Sequence, residues 1–341
     1  MKIKSYAAQL KFRHTFHIAA GARDFTDTVF VEVESDGNVG YGEAALPPYL
    51  TENVNTVLEY LAKVELPVQY SPDQFFELLH SLHSAQQKNN PALAALDSAL
   101  HDLQGKIKGV PVRALYDITE NKVPMVAYTI GMGDATEIRN KLNEAADFRF
   151  FKMKLGGNHD QELVSTFRKY RNASFCVDVN RGWNDLSLAI DTGKWLVTQG
   201  CTFIEQPFEK VMLKETNELR KHISIPVILD EAVQTIEDVE RVKDFCDGIN
   251  IKLVKCGGIY PAKKMIEAAR KNNLKVFLGC MSESSCGVAA ASQLTPLVDW
   301  MDLDSPMLIS NDPFEGVLYK DGKIVLSENP GTGARKRFNS G

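Results

Sequence analysis

No apolar run in the chain approaches the length needed to cross a bilayer. The opening stretch, MKIKSYAAQLKFRHTF, starts with lysines but is broken by Lys11, Arg13 and His14, so it lacks the continuous apolar core of a secretory signal. Nor is there a basic cluster. With a formal net charge of −5, the chain has no evident means of displacing counterions from nucleic acid or an anionic membrane, and neither is expected as a partner. No Pro-, Gly- or Ser-rich tract marks a disordered segment. The six cysteines (Cys176, Cys201, Cys246, Cys256, Cys280, Cys286) form no CxxC pair or regular framework, which argues against a structural zinc site and fits reduced, packed thiols in a cytoplasmic protein.

What is present is ordinary globular composition, 44% hydrophobic and 24% charged, over 341 residues, a length suited to one large barrel or two packed units. The first third is mixed. Alternating segments 28–35 and 38–43 flank Asp36-Gly37, a hairpin signal, and the helical patterns of 52–62, 72–83 and 91–106 follow, with Ser71 expected to cap the second. From Pro124 onward, short β-branched or aromatic runs alternate with amphipathic helices. Eight runs start at Met125, Arg149, Ser174, Thr202, Pro226, Ile249, Lys275 and Trp300, at near-constant spacing. That regularity predicts an α/β fold with a closed parallel (β/α)8-type barrel, a modified TIM barrel, rather than an open sheet. The expected division is an α+β unit over 1–120, the barrel over 121–313, and a tail over 314–341. A hairpin around Asp321-Gly322 in this tail is expected to rejoin the first unit.

Barrel enzymes carry their reactive groups where the strands end at the C-terminal face. Charged residues recur there: Lys152 and Lys154 on strand two, Asp178 on three, Glu205 on four, Asp230 on five, Lys252 on six, and Asp302 and Asp304 on eight. From Lys154 to Lys252 they follow at intervals of 24, 27, 25 and 22 positions. One such charge would be an ordinary solvated strand end. A ring of three carboxylates flanked by lysines instead implies a compensating cation, because buried charge is costly unless paired or bound to metal. Oxygen donors select a hard ion, magnesium, with manganese as a substitute.

The segments Lys152-Met153-Lys154, Asp178-Val179-Asn180, Glu205-Gln206-Pro207, Asp230-Glu231 and Asn250-Ile251-Lys252 resemble the muconate-lactonizing subgroup of the enolase superfamily, and the first unit resembles its capping domain. Asp302-Leu303-Asp304, followed by Ser305-Pro306, resembles the dipeptide-epimerase signature. The resemblance implies Asp178, Glu205 and Asp230 as ligands of one magnesium, and Lys154 and Lys252 as two bases on opposite faces of the α-carbon. It further implies Asp302 and Asp304 on the substrate ammonium, Asn180 and Glu231 as outer partners of the metal, and Lys152 beside the substrate. Arg23, placed in a loop of the cap, is expected to pair with a side-chain carboxylate of a dipeptide of the L-Ala-D/L-Glu kind, and Ser282 to line the same region. A homo-oligomer is left open. The rival reading is a lyase such as o-succinylbenzoate synthase, whose substrate has no ammonium for Asp302 and Asp304. For Lys154 to act as a base, its pKa must fall from about 10.4; nearby Lys152 and the metal both push in that direction, and three units correspond to about 4 kcal/mol.

Overall fold

The computed structural model describes residues 1–18, 21–48, 50–84, 89–131, 133–157 and 159–337. Three antiparallel strands, β1 (Lys2–Ile18), β2 (Gly21–Ser35) and β3 (Asn38–Leu46), form the N-terminal sheet in that order. The turn between β2 and β3 falls at Asp36-Gly37, both with positive φ, as the sequence predicts. The three expected helices appear as Val54–Leu61, Phe75–His83 and Asn90–Lys108. Ser71 precedes a short 3₁₀ turn, Pro72–Gln74, but its side chain makes no capping bond. Val29, Val31 and Val33 of β2 pack with Leu79, Leu96, Ala99 and Leu103 to make this unit's core. The long helix approaches β3 so closely that Gly40 and Gly42 could not carry a Cβ, because the backbone of Ala95, Ala99 and Leu103 lies in the way.

All eight sequence runs become strands of one parallel sheet: β4 (Ala127–Ile130), β5 (Phe150–Lys154), β6 (Ser174–Asp178), β7 (Cys201–Glu205), β8 (Val227–Leu229), β9 (Gly248–Ile251), β10 (Lys275–Gly279) and β11 (Trp300–Asp302). A bridge between Val126 and Met301 closes the barrel. Successive residues on a strand alternate in direction. Phe151, Met153, Val177 and Ile204 therefore face the surrounding helices in the main core, whereas Phe150, Cys176, Phe203 and Phe277 fill the lower interior.

The hairpin around Asp321-Gly322 is not where the sequence reading put it, although the segments that flank it are. β12 (Phe314–Glu315) and β15 (Arg335–Lys336) pair with each other and reach the N-terminal sheet, Phe314 packing on Phe30 and Lys336 pairing with Glu32. Between them the hairpin of β13 (Leu318–Lys320) and β14 (Lys323–Val325) docks on the barrel: the Gly322 carbonyl accepts from the Val126 N–H, and the Tyr319 hydroxyl donates to the Leu303 carbonyl. These contacts satisfy backbone groups at the β4–β11 seam, which a hairpin on the cap would leave unpaired. Among the described residues, no helix is long and apolar enough to cross a membrane. All six cysteines are free thiols.

Candidate active site

Strand register sets the charged ring. Lys154 lies opposite Asp178, and Asp178 opposite Glu205; Asp230 follows β8 by one residue and Lys252 follows β9 by one. Lys252 thus begins a helical turn, Leu253–Cys256, rather than sitting within the strand. The backbone bends sharply at the strand ends. Asn180, Arg181 and Gln206 have positive φ, and the Asn180 N–H donates to Asp178 Oδ1 at 3.0 Å, a local turn that fixes the carboxylate. Gln206 accepts the N–H groups of Asp230 and Ala232, tying the ends of β7 and β8 together.

Lysine ammoniums stand among the buried carboxylates. Lys152 Nζ, 1% exposed, lies 2.7 Å from Asp302 Oδ2, 2.9 Å from Glu205 Oε2 and 3.1 Å from Asp178 Oδ2. Lys154 Nζ meets Asp178 Oδ2 at 2.6 Å, and Lys252 Nζ meets Asp230 Oδ2 at 2.7 Å. Burial works against the Lys152 ammonium, but Asp302, Glu205, Asp178 and Asp230 outweigh it and raise its pKa well above the ordinary lysine value. Burial likewise opposes ionisation of Asp178, yet Lys154 and Lys152 hold its carboxyl down at about 2. Glu205 goes the other way: burial and the charges of Asp178 and Asp230 push it up to about 7 despite Lys152.

Among the described residues no three His, Cys, Asp or Glu side chains converge into a ready-made metal nest. The donor set nonetheless fits a hard divalent cation. Asp178 and Glu205 both lie against the Lys152 ammonium, Asp230 is near enough to act on the charge of each, and Glu231 Oε2 is buried without a hydrogen-bond partner. A cation there would relieve the repulsion that raises Glu205.

Asp302 and Asp304, which the sequence treats as a pair, differ. Asp302 is bound to Lys152; Asp304 accepts from the Thr129 N–H at 2.7 Å and forms no ion pair among the described residues. Burial and the neighbouring Asp302 raise the Asp304 carboxyl to about 7. A cavity of about 430 Å³ opens above the ring, lined from the barrel by Lys154, Lys252, Asp304 and Ser282 and from the N-terminal unit by Arg23 and Asn90. Arg23 is not in a loop as expected. It lies on β2 opposite Phe16, because β1 runs on past a register shift after Lys11 to pair with it. Asn180 and Glu231 touch at 3.4 Å beside the ring, and Arg181 also reaches Glu231.

Two neighbours were given no role by the sequence reading. Asn250 donates to Glu205 Oε1 at 2.6 Å, and Lys255 is 2.5 Å from Asp230 Oδ1. Read as strand, Ile249–Val254 should alternate in direction, which hides Lys255; only the helical spacing Lys252-x-x-Lys255 would have shown it on the same side.

An eight-stranded barrel with its charged ring at the C-terminal strand ends, roofed by an α+β unit, defines a capped-barrel class of enzyme. The chain matches the family model "Enolase C-terminal domain-like" over residues 135–337 and "Mandelate racemase / muconate lactonizing enzyme, N-terminal domain" over residues 2–116. It belongs to this mandelate racemase/muconate lactonizing family of the enolase superfamily. It is 41% identical to an L-Ala-D/L-Glu epimerase of Bacteroides thetaiotaomicron across 98% of the chain and 88% of the relative. It is 36% identical to an L-Ala-D/L-amino acid epimerase of Flavobacterium johnsoniae across 98% and 99%. Among solved structures it resembles a dipeptide epimerase of Cytophaga hutchinsonii complexed with magnesium and D-Ala-L-Val, with TM-score 0.90 and 25% identity over 99% of this chain and 96% of that one.

Proposed function

We propose that the protein is a magnesium-dependent dipeptide epimerase that inverts the α-carbon of the carboxy-terminal residue of an L-Ala-D/L-Xaa dipeptide, with an acidic second residue preferred. One observation carries this reading: Lys154 and Lys252 stand on β5 and just beyond β9, four strands apart in an eight-stranded barrel, and both face the same cavity. Two amines on opposite sides of one substrate carbon allow inversion, which neither alone achieves.

Asp178, Glu205 and Asp230 would hold the magnesium, with Asn180 and Glu231 outside them and manganese as a substitute. When bound, the metal supplies charge stabilisation for the substrate carboxylate as negative charge develops there. Lys152 adds a buried cation next to the same group. Lys154, unprotonated, takes the α-proton from one face while Lys252, as ammonium, returns a proton to the other; the reverse reaction exchanges their roles. Asp304, with Asp302 beside it, receives the amino-terminal ammonium: a buried carboxyl without an ion-pair partner gains one when substrate enters. Arg23 faces the second side chain from the cap, which favours glutamate, and the 41% identity to an L-Ala-D/L-Glu epimerase supports the same choice. Ser282 lines the wall nearby.

The test is incubation of L-Ala-L-Glu and a panel of L-Ala-L-Xaa dipeptides with magnesium in deuterated water. Gain of one deuteron with appearance of the other epimer is expected, fastest for glutamate. No incorporation into any member of the panel would overturn the reading.

A further inference from the structure

Lys255 lies three residues after Lys252 on the single turn Leu253–Cys256, which Gly257 closes at φ +98°. That spacing brings both ammoniums to the same carboxylate, Lys252 on Asp230 Oδ2 at 2.7 Å and Lys255 on Oδ1 at 2.5 Å. Their remaining surroundings differ. Lys252 lines the cavity, whereas Lys255 Nζ is also within 2.7 Å of the Asp230 carbonyl and 3.0 Å of the Val233 and Asn250 carbonyls. An ammonium has three donors, and here four oxygens compete for them, so none is left for a ligand. Lys255 therefore holds rather than reacts. What it holds is the carboxylate that faces Lys252, the end of β9, and the loop after β8.

The turn is also gripped from the N-terminal unit. Asn90 Nδ2 donates to the Lys255 carbonyl at 2.6 Å, and Asp97 Oδ1 accepts from the Ile259 N–H at 2.6 Å, both from the helix Asn90–Lys108. Gly258 permits this approach, since a Cβ there would strike Asp97.

We propose that Lys255 is a positioning residue for the second base: it fixes Asp230 and the turn that carries Lys252, and the cap helix seats it through Asn90. The role of Lys252 as a base rests on the function proposed above; the hold of Lys255 on Lys252 does not. A buried ion pair serving only stability would affect both faces of the substrate alike. A positioning role affects one.

The experiment compares Lys255→Met and Asn90→Ala with wild type and with Lys252→Ala. Deuterium exchange is measured separately for L-Ala-L-Glu and L-Ala-D-Glu, and the epimer whose exchange Lys252→Ala abolishes is the one served by Lys252. In both test variants, at saturating magnesium so that any loss of metal affinity through Asp230 is made good, exchange of that epimer should fall about tenfold or more, as is usual when a supporting partner is lost, while the other changes less than about twofold. In metal-free protein, labelling of Lys252 by an amine-directed reagent, mapped by peptide mass spectrometry, should accelerate about tenfold while labelling of Lys154 stays constant. If Lys255→Met does not fold, Asn90→Ala carries both measurements. Equal slowing of the two epimers, or unchanged labelling of Lys252, would overturn the proposal. Exchange of both epimers surviving in Lys252→Ala would instead remove the base assignment, with the labelling still deciding what Lys255 holds.

Discussion

The side chains that plug the lower half of the barrel and those that ring its upper half come from the same strands, two residues apart. Phe150 lies below Lys152, Cys176 below Asp178, Phe203 below Glu205 and Ile228 below Asp230. One layer is an apolar, aromatic-rich plug, with Phe203 packed between Phe150, Phe277 and Trp300 at centroid distances of 4.7–6.2 Å. The other is a set of ion pairs in an equally buried place. Strand geometry alone cannot distinguish them, because both point inward. What differs is compensation: hydrocarbon gains by leaving water, whereas carboxylates at that depth persist only with lysines or a metal alongside. Stability and chemistry are thus stacked on one scaffold rather than divided between domains.

The division can be broken most severely from above. On the proposed assignment, Lys154→Ala and Lys252→Ala should each lower epimerisation about 10³-fold, within the range for loss of a general acid or base. Circular dichroism and urea melts should show the fold retained. Polarimetry from each pure epimer measures the loss, and near-wild-type rates in either variant would end the two-base assignment.

From below, the opposite pattern is expected. Phe203→Ala removes a fully buried ring and should cost about 3–5 kcal/mol in urea unfolding, with turnover per folded molecule little changed below the transition. A variant that kept its stability but lost turnover would show the plug to be part of the site.

The ring has its own internal contrast, Asp302 already paired and Asp304 not. Truncating one partner of a desolvated charged contact costs about 2–5 kcal/mol. Asp304→Asn and a substrate whose ammonium is replaced by methyl should therefore each lower kcat/KM by that order, and the two losses should be strongly non-additive in a double-mutant cycle. Simple additivity would place the ammonium elsewhere.

Much of this layering is legible in the sequence, for a physical reason. A parallel barrel strand is short, buried and followed by a charge at its C-terminal end, so Phe-Phe-Lys-Met-Lys or Ile-Leu-Asp states both the strand and the site residue. Asp178, Glu205 and Asp230 are found that way. Lys255 is not, because the chain turns helical immediately after Ile251 and the alternation rule then points it the wrong way. β1 is missed for a different reason: its 17 residues contain Lys2, Lys4, Lys11, Arg13 and His14, and pairing with β2, which begins at Gly21, makes the strand rather than composition. Arg23 is misplaced with it. The unequal partners of Asp302 and Asp304 depend on where Lys152 Nζ comes to rest, which no local pattern records.

The gentlest test concerns a buried carboxyl that has no lysine. Glu43, on β3, accepts from the Ser284 N–H and hydroxyl, from the Gly287 N–H and from the Thr28 hydroxyl, across the seam between the two units. Burial and the nearby Glu283 carboxylate push its pKa up to about 8 against these donors, whereas lysine holds buried Asp178 at about 2. The ordinary value, near 4.5, applies in the unfolded chain. Between 4.5 and about 8 the folded protein then keeps a proton that the unfolded chain releases, so stability contributed by this group is lost as pH rises through that window, by at most about 1.4 kcal/mol per pH unit, and levels off above it. Glu43→Gln keeps an acceptor for Ser284 and Gly287 and can donate to the Thr28 hydroxyl, which in turn donates to the Ala44 carbonyl. It should match wild type at pH 5 and grow progressively more stable than wild type towards pH 8, measured by urea unfolding in matched buffers. Parallel stability curves for the two proteins would mean that Glu43 is ionised in the folded state, and that hydrogen bonds alone can hold a carboxylate at this depth without the lysine that every carboxylate ligand candidate in the ring has beside it.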